Sequence, residues 1–227
     1  MSTPSTTTPM ISRASRGTGV ALTATVGLGA AAWALTIQRM HGMDMGVETR
    51  LGSLRSFLSV WVPMMAAMML PGTAPAARRL ARSGGRAFDI ALYVGSYLAV
   101  WAVFGIAVYA LYSPHGTATA GAFVVAAGAY ELTPLKRRFR QMCRDRMSSG
   151  PELGLCCVGS SIGLMLMMVA LGVMSVTWMA VTTGLVLAQK LLPPRIAVDV
   201  PVATAIAAVG IAVIVAPSSV PGLVRPM

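Results

Sequence analysis

The chain is 227 residues long, 56% hydrophobic and 11% charged, well below the roughly one quarter charged that soluble domains carry, so a water-soluble globule is excluded. Its net charge of +11 does not point to nucleic acid, because no basic stripe is interleaved with aromatics and no recognition helix is visible. Three cysteines make no closed disulfide framework, and the anomaly is methionine, seventeen in number where average usage gives about five.

Residues 1–17 are rich in Ser, Thr and Pro and are predicted to be a disordered cytoplasmic N-terminus. Arg13 and Arg16 then precede an apolar run over 18–37, longer than the 7–15-residue core of a signal peptide, so an uncleaved first span is expected. A polar loop, Arg39-Met-His-Gly-Met-Asp-Met-Gly46, leads to a second span over 56–76. After a loop holding Arg78, Arg79, Arg82 and Arg86, a third span covers 88–112 and a fourth 117–135, with the turn Ser113-Pro-His-Gly116 between them. The stretch from Lys136 to Gly150 carries six basic residues and reads as a loop.

Residues 153–192 hold about forty apolar positions without a charge until Lys190. A span needs only about 20, so this is two spans, 153–172 and 175–192, joined near Gly172–Ser175. A weaker seventh span covers 196–216, and 217–227 form a short tail. With the N-terminus cytoplasmic, fourteen of the eighteen Lys and Arg fall on inner segments and only Arg39, Arg50, Arg55 and Arg225 on outer ones, as the positive-inside rule requires. The expected fold is therefore all-α, a polytopic bundle of about seven spans in a bacterial inner membrane, with the C-terminus outside.

The second span contains Trp61-Val-Pro-Met-Met-Ala-Ala-Met-Met-Leu-Pro71. At about 100° per residue, Met64, Met65, Met68, Met69 and Trp61 share an arc of roughly 140°, which gives the helix one sulfur-bearing face. Together with Glu131-Leu-Thr-Pro-Leu-Lys136, Gly172-Val-Met-Ser-Val-Thr-Trp-Met179 and Gln189-Lys190, this segment resembles a bacterial family of predicted metal-binding integral membrane proteins of unknown function, marked by an AMMxP helix. The resemblance covers roughly 40–193 and implies a membrane protein that binds metal. It also implies further cysteines, where this chain has only Cys143 and the pair Cys156-Cys157, and Gln where it has Glu131.

Four groups carry candidate metal chemistry. Met40, His41, Met43 and Met45 lie in the first outer loop, where thioether and imidazole suit Cu(I) and survive conditions that oxidise thiols. Met64, Met65, Met68 and Met69 form the second group. Met165 and Met168, with Met167 beside them and Met174 and Met179 further on, form a third at similar depth. Cys143, Cys156 and Cys157 lie at or near the inner face, where thiolates bind soft metals more strongly than thioethers. Each group has a plainer reading as packing, since methionine fills irregular gaps between helices. Glu131 and Asp89 are expected to anchor as ion pairs, and His115 to be solvated in its turn.

No phosphate loop or hydrolase motif is present, and the two histidines, His41 and His115, both fall in loops, which argues against bis-histidine haem ligation inside the bundle. The residues point to a non-enzymatic membrane protein that captures Cu(I) on Met and His and passes it to Cys. Its partners are the lipid bilayer and either a copper-accepting protein or other membrane subunits. The competing reading is an accessory subunit whose methionines are an adaptable interface.

Overall fold

A computed structural model describes residues 8–40, 51–84, 86–145, 149–172, 175–192 and 196–220. These residues are almost entirely helical: α1 (Thr8–Met40), α2 (Leu54–Met69), α3 (Ala74–Arg82), α4 (Ala87–Leu111), α5 (Thr117–Glu131), α6 (Pro134–Asp145), α7 (Gly150–Gly172), α8 (Val176–Leu191) and α9 (Ile196–Val215). Three stretches are long and apolar enough to cross a membrane among the described residues: Leu54–Arg82, Ala87–Leu111 and Gly150–Gly172.

The methionine helix begins at Ser53, whose side chain accepts the Ser56 N–H at 3.2 Å and so satisfies one of the donors a helix start leaves open. It does not run unbroken to residue 76. Pro71 has no N–H, and its ring would crowd the carbonyl four residues back, so the chain passes through a 3-10 turn, Leu70–Thr73, before restarting as α3. Gly72 in that turn leaves room for Lys190, whose Nζ would lie 2.6 Å from any Cβ placed there.

Small residues set the closest approaches. Gly105 of α4 receives the Trp61 indole, since a Cβ at 105 would fall 2.4 Å from the ring, and the Trp61 Nε1–H donates to the Trp101 carbonyl at 2.9 Å. One turn away Phe57 meets Tyr109, with ring centroids 5.5 Å apart. These pairings make α2 and α4 antiparallel and bring Met69 level with Tyr97. Helices α5 and α9 form the most extensive pairing, through Gly121, Gly128 and Gly210 set against the facing backbone, the small-residue seam that suits helices packed without water. The central α7 packs on α4, α5, α6 and α8.

The basic segment read as a loop is the helix α6. Its charges concealed the helix because two of them face inward: Lys136 and Arg140 are buried, whereas Leu135 and Met142 are exposed. Lys136 Nζ donates to Glu131 and, at 2.9 Å, to Gln189 Oε1, while Gln189 Nε2 reaches Glu131 Oε2 at 2.6 Å. Arg140 pairs with Asp199 and donates to the Gln189 carbonyl at 2.6 Å. This knot ties α5, α6, α8 and α9 together at one end of the bundle. Glu131 is thus an ion-pair anchor, with lysine as its partner. Asp89 instead accepts the Arg86 backbone N–H at 2.7 Å and caps α4.

Removing one partner of a buried pair leaves an uncompensated charge, which costs about 3–5 kcal/mol. Lys136→Met should therefore lower the unfolding free energy of the purified protein by that order. The double variant Lys136→Met/Glu131→Leu should recover much of the loss, and denaturant unfolding of both checks it.

Candidate metal centre

Thioethers are neutral, so a helix can bury them without the desolvation cost that thiolate or carboxylate incurs. The four methionines of α2 use that freedom fully: Met64, Met65, Met68 and Met69 are each 1% exposed or less. Their helical spacing alone would give a face. The packing of Trp61 into Gly105 turns that face into the bundle. Met165 and Met168 of α7 are equally buried, and Met40, Met167 and Met179 join the same contiguous core cluster. The second and third methionine groups therefore fall in one contiguous buried cluster drawn from α2, α7 and α8, with Met167 and Met179 inside it.

Cys157 belongs to that core. It is 1% exposed, and its Sγ lies 4.0 Å from Met69 Sδ. The Tyr97 hydroxyl donates to the same Sγ at 3.2 Å. Tyr97, from α4, is the residue sequence reasoning missed. An aromatic inside an apolar span looks like packing, and only the antiparallel register of α2 on α4 carries it to the level of Met69. A soft ion placed between Cys157 and Met69 would meet one anionic and one neutral sulfur, a donor set suited to Cu(I) and poor for hard cations.

The three cysteines do not form one cage. Consecutive helix residues point about 100° apart, so Cys157 faces the methionines while Cys156 faces α6. Among the described residues no group of three or more His, Cys, Asp and Glu side chains is placed to hold a metal. Cys143 is half-buried, and burial, with the neighbouring Cys157 and Cys156, pushes its thiol well above the ordinary range while Lys190 opposes the shift. Of the first group, Met40 is buried at the end of α1, and His41, Met43 and Met45 lie outside the described residues.

At the opposite end of the bundle from the charged knot lies a cavity of about 460 Å³ between α4, α5 and α7, with Phe104, Leu111, Phe123 and Met165 in its wall. His115 stands at its rim and is not simply solvated. Its Nδ1 faces the Ser113 carbonyl at 3.0 Å and its Nε2 the Ala170 carbonyl at 3.2 Å, with Tyr112 and Phe123 edge-on to the ring. Met165 thus belongs both to the sulfur core and to a cavity wall.

The Tyr97 hydroxyl makes a testable contribution. Tyr97→Phe keeps the ring and removes the donor to Cys157, which should cost about 1 kcal/mol of stability with no change in helix content. Thermal unfolding beside circular dichroism checks both parts.

Comparison with known proteins agrees with the sulfur chemistry. No curated protein matches the chain, and no solved structure does. Residues 58–213 match the model of the PpoB2 family, described as a copper chaperone. That match takes in α4 to α8 whole, most of α2 and α9, and every sulfur ligand candidate from Met64 onward, so the chain belongs to the PpoB2 copper chaperone family.

Proposed function

We propose that the protein is a multi-pass membrane protein that binds Cu(I) in its sulfur core and passes it toward the inner face. The observation that carries this reading is the approach of Cys157 Sγ to Met69 Sδ, 4.0 Å apart, inside a buried cluster that holds Met64, Met65, Met68, Met165 and Met168. Membership of a copper chaperone family supports copper as the cargo.

In this reading the helices cross a bacterial inner membrane about seven times. The relative directions of the helices suit that path. α2 runs antiparallel to α4, and α4 runs parallel to α7, with Gly150 against Tyr93 and Gly154 against Val100. The end bearing α3 and α6 has the buried knot and most of the arginine, so the positive-inside rule makes it cytoplasmic. The cavity by His115 then opens on the outer side. Met40, His41, Met43 and Met45 would capture the ion, and the core methionines would hold it at mid-depth. Sulfur ligands strengthen from thioether to thiol along this path, which favours inward transfer to a copper-accepting protein.

Copper content of the purified protein after loading with Cu(I) tests the reading. The wild type should retain copper, and Met65→Leu/Met69→Leu, a roughly volume-conserving change, should retain about one equivalent less while keeping its helicity. Equal copper in both proteins, or none in either, would return the methionines to packing and favour an accessory subunit.

A further inference from the structure

The fold leaves two thiols unused by the core. Phe139 of α6 lies on Gly159 of α7, where an added Cβ would come 2.7 Å from the ring. With the two helices antiparallel, that register places Cys143 opposite Cys156, one turn further along. The burial pattern agrees. Lys136 and Arg140 point inward on α6, and Cys143 continues their stripe at i+7 and i+3. Cys156 is 8% exposed and Cys143 is half-buried, so this seam is less enclosed than the Cys157 site.

Lys190 completes the arrangement. Its stem crosses Gly72 in the turn that ends the methionine helix, and its charge acts on Cys143. The ammonium thus lies beside the turn that ends the methionine helix and within electrostatic reach of Cys143. Two thiolates around one Cu(I) leave a net negative complex, which a nearby lysine neutralises.

We propose that Cys143 and Cys156, with Lys190 as counter-cation, form a second Cu(I) site of bis-thiolate type. It is distinct from the Cys157–Met69 core and is the station from which a soluble dithiol protein takes the ion. The proposal rests on the copper reading above and divides the cysteines that it treats together. Each Cu–S bond forms as a thiol proton leaves to solvent, with no change in the oxidation state of copper or sulfur. Thiol exchange with an incoming dithiol then moves Cu(I) one sulfur at a time, the departing cysteines taking protons back. A two-ligand site needs only the pair the seam supplies.

The test titrates the full-length, reduced protein with Cu(I) held by a colorimetric chelator. Wild type should take two equivalents. Cys143→Ser and Cys156→Ser should each lose the same one, and Cys157→Ser with Met69→Leu should lose the other. Lys190→Met should weaken the first of these by roughly tenfold, with Lys190→Arg restoring it. If both seam variants bind like wild type while the core variant loses copper, the proposal fails and the copper reading stands. If wild type binds no copper, both fail. Unchanged elution volume and helicity in the serine variants, whose side chains are nearly isosteric with cysteine, separate loss of ligand from loss of fold.

Discussion

A metal ligand held inside an apolar helical core must be neutral or must bring its own compensation. Methionine satisfies that constraint and is soft enough for Cu(I). The arrangement around α2 follows from it. Trp61 seats in the gap left by Gly105 and fixes the rotation of the helix, so that Met64, Met65, Met68 and Met69 are buried inside the bundle. The one titratable sulfur admitted to this core, Cys157, arrives with a donor from Tyr97. Polar groups with stronger demands are kept at the two ends of the bundle.

The end bearing α6 shows the opposite solution. There the buried groups are fully charged, and compensation comes from Lys136, Glu131, Gln189, Arg140 and Asp199 acting together. The helix keeps Lys136 and Arg140 inside and leaves Leu135 and Met142 outside. The knot ties α8 to α6, and Lys190, next to Gln189, reaches over Gly72 to the end of the methionine helix. Closure of the bundle and placement of the thiol seam are thus linked through adjacent residues of α8.

The methionine face was legible because composition and helical spacing agree there, whereas the break at Pro71 falls inside what reads as one span over 56–76. Helix class was equally plain from the apolar runs. The helix α6 was not legible, because its pattern inverts the usual rule of apolar side inward. The separate placement of Cys156 and Cys157 depends on the register of α6 on α7, set by Phe139 and Gly159, which no single segment encodes. Asp199 went unremarked in a weakly apolar run because its partner lies 59 residues earlier in the chain. Glu131, Lys136 and Gln189, from separate segments of the chain, turn out to be one hydrogen-bonded group.

The most direct measurement is copper K-edge X-ray absorption on the reduced protein loaded with one equivalent of Cu(I). The account predicts a first shell made of sulfur alone, with scattering from both thioether and thiolate, that changes when Met69 is replaced by Leu. A shell of nitrogen or oxygen, unaltered by that replacement, would contradict a sulfur core that carries copper.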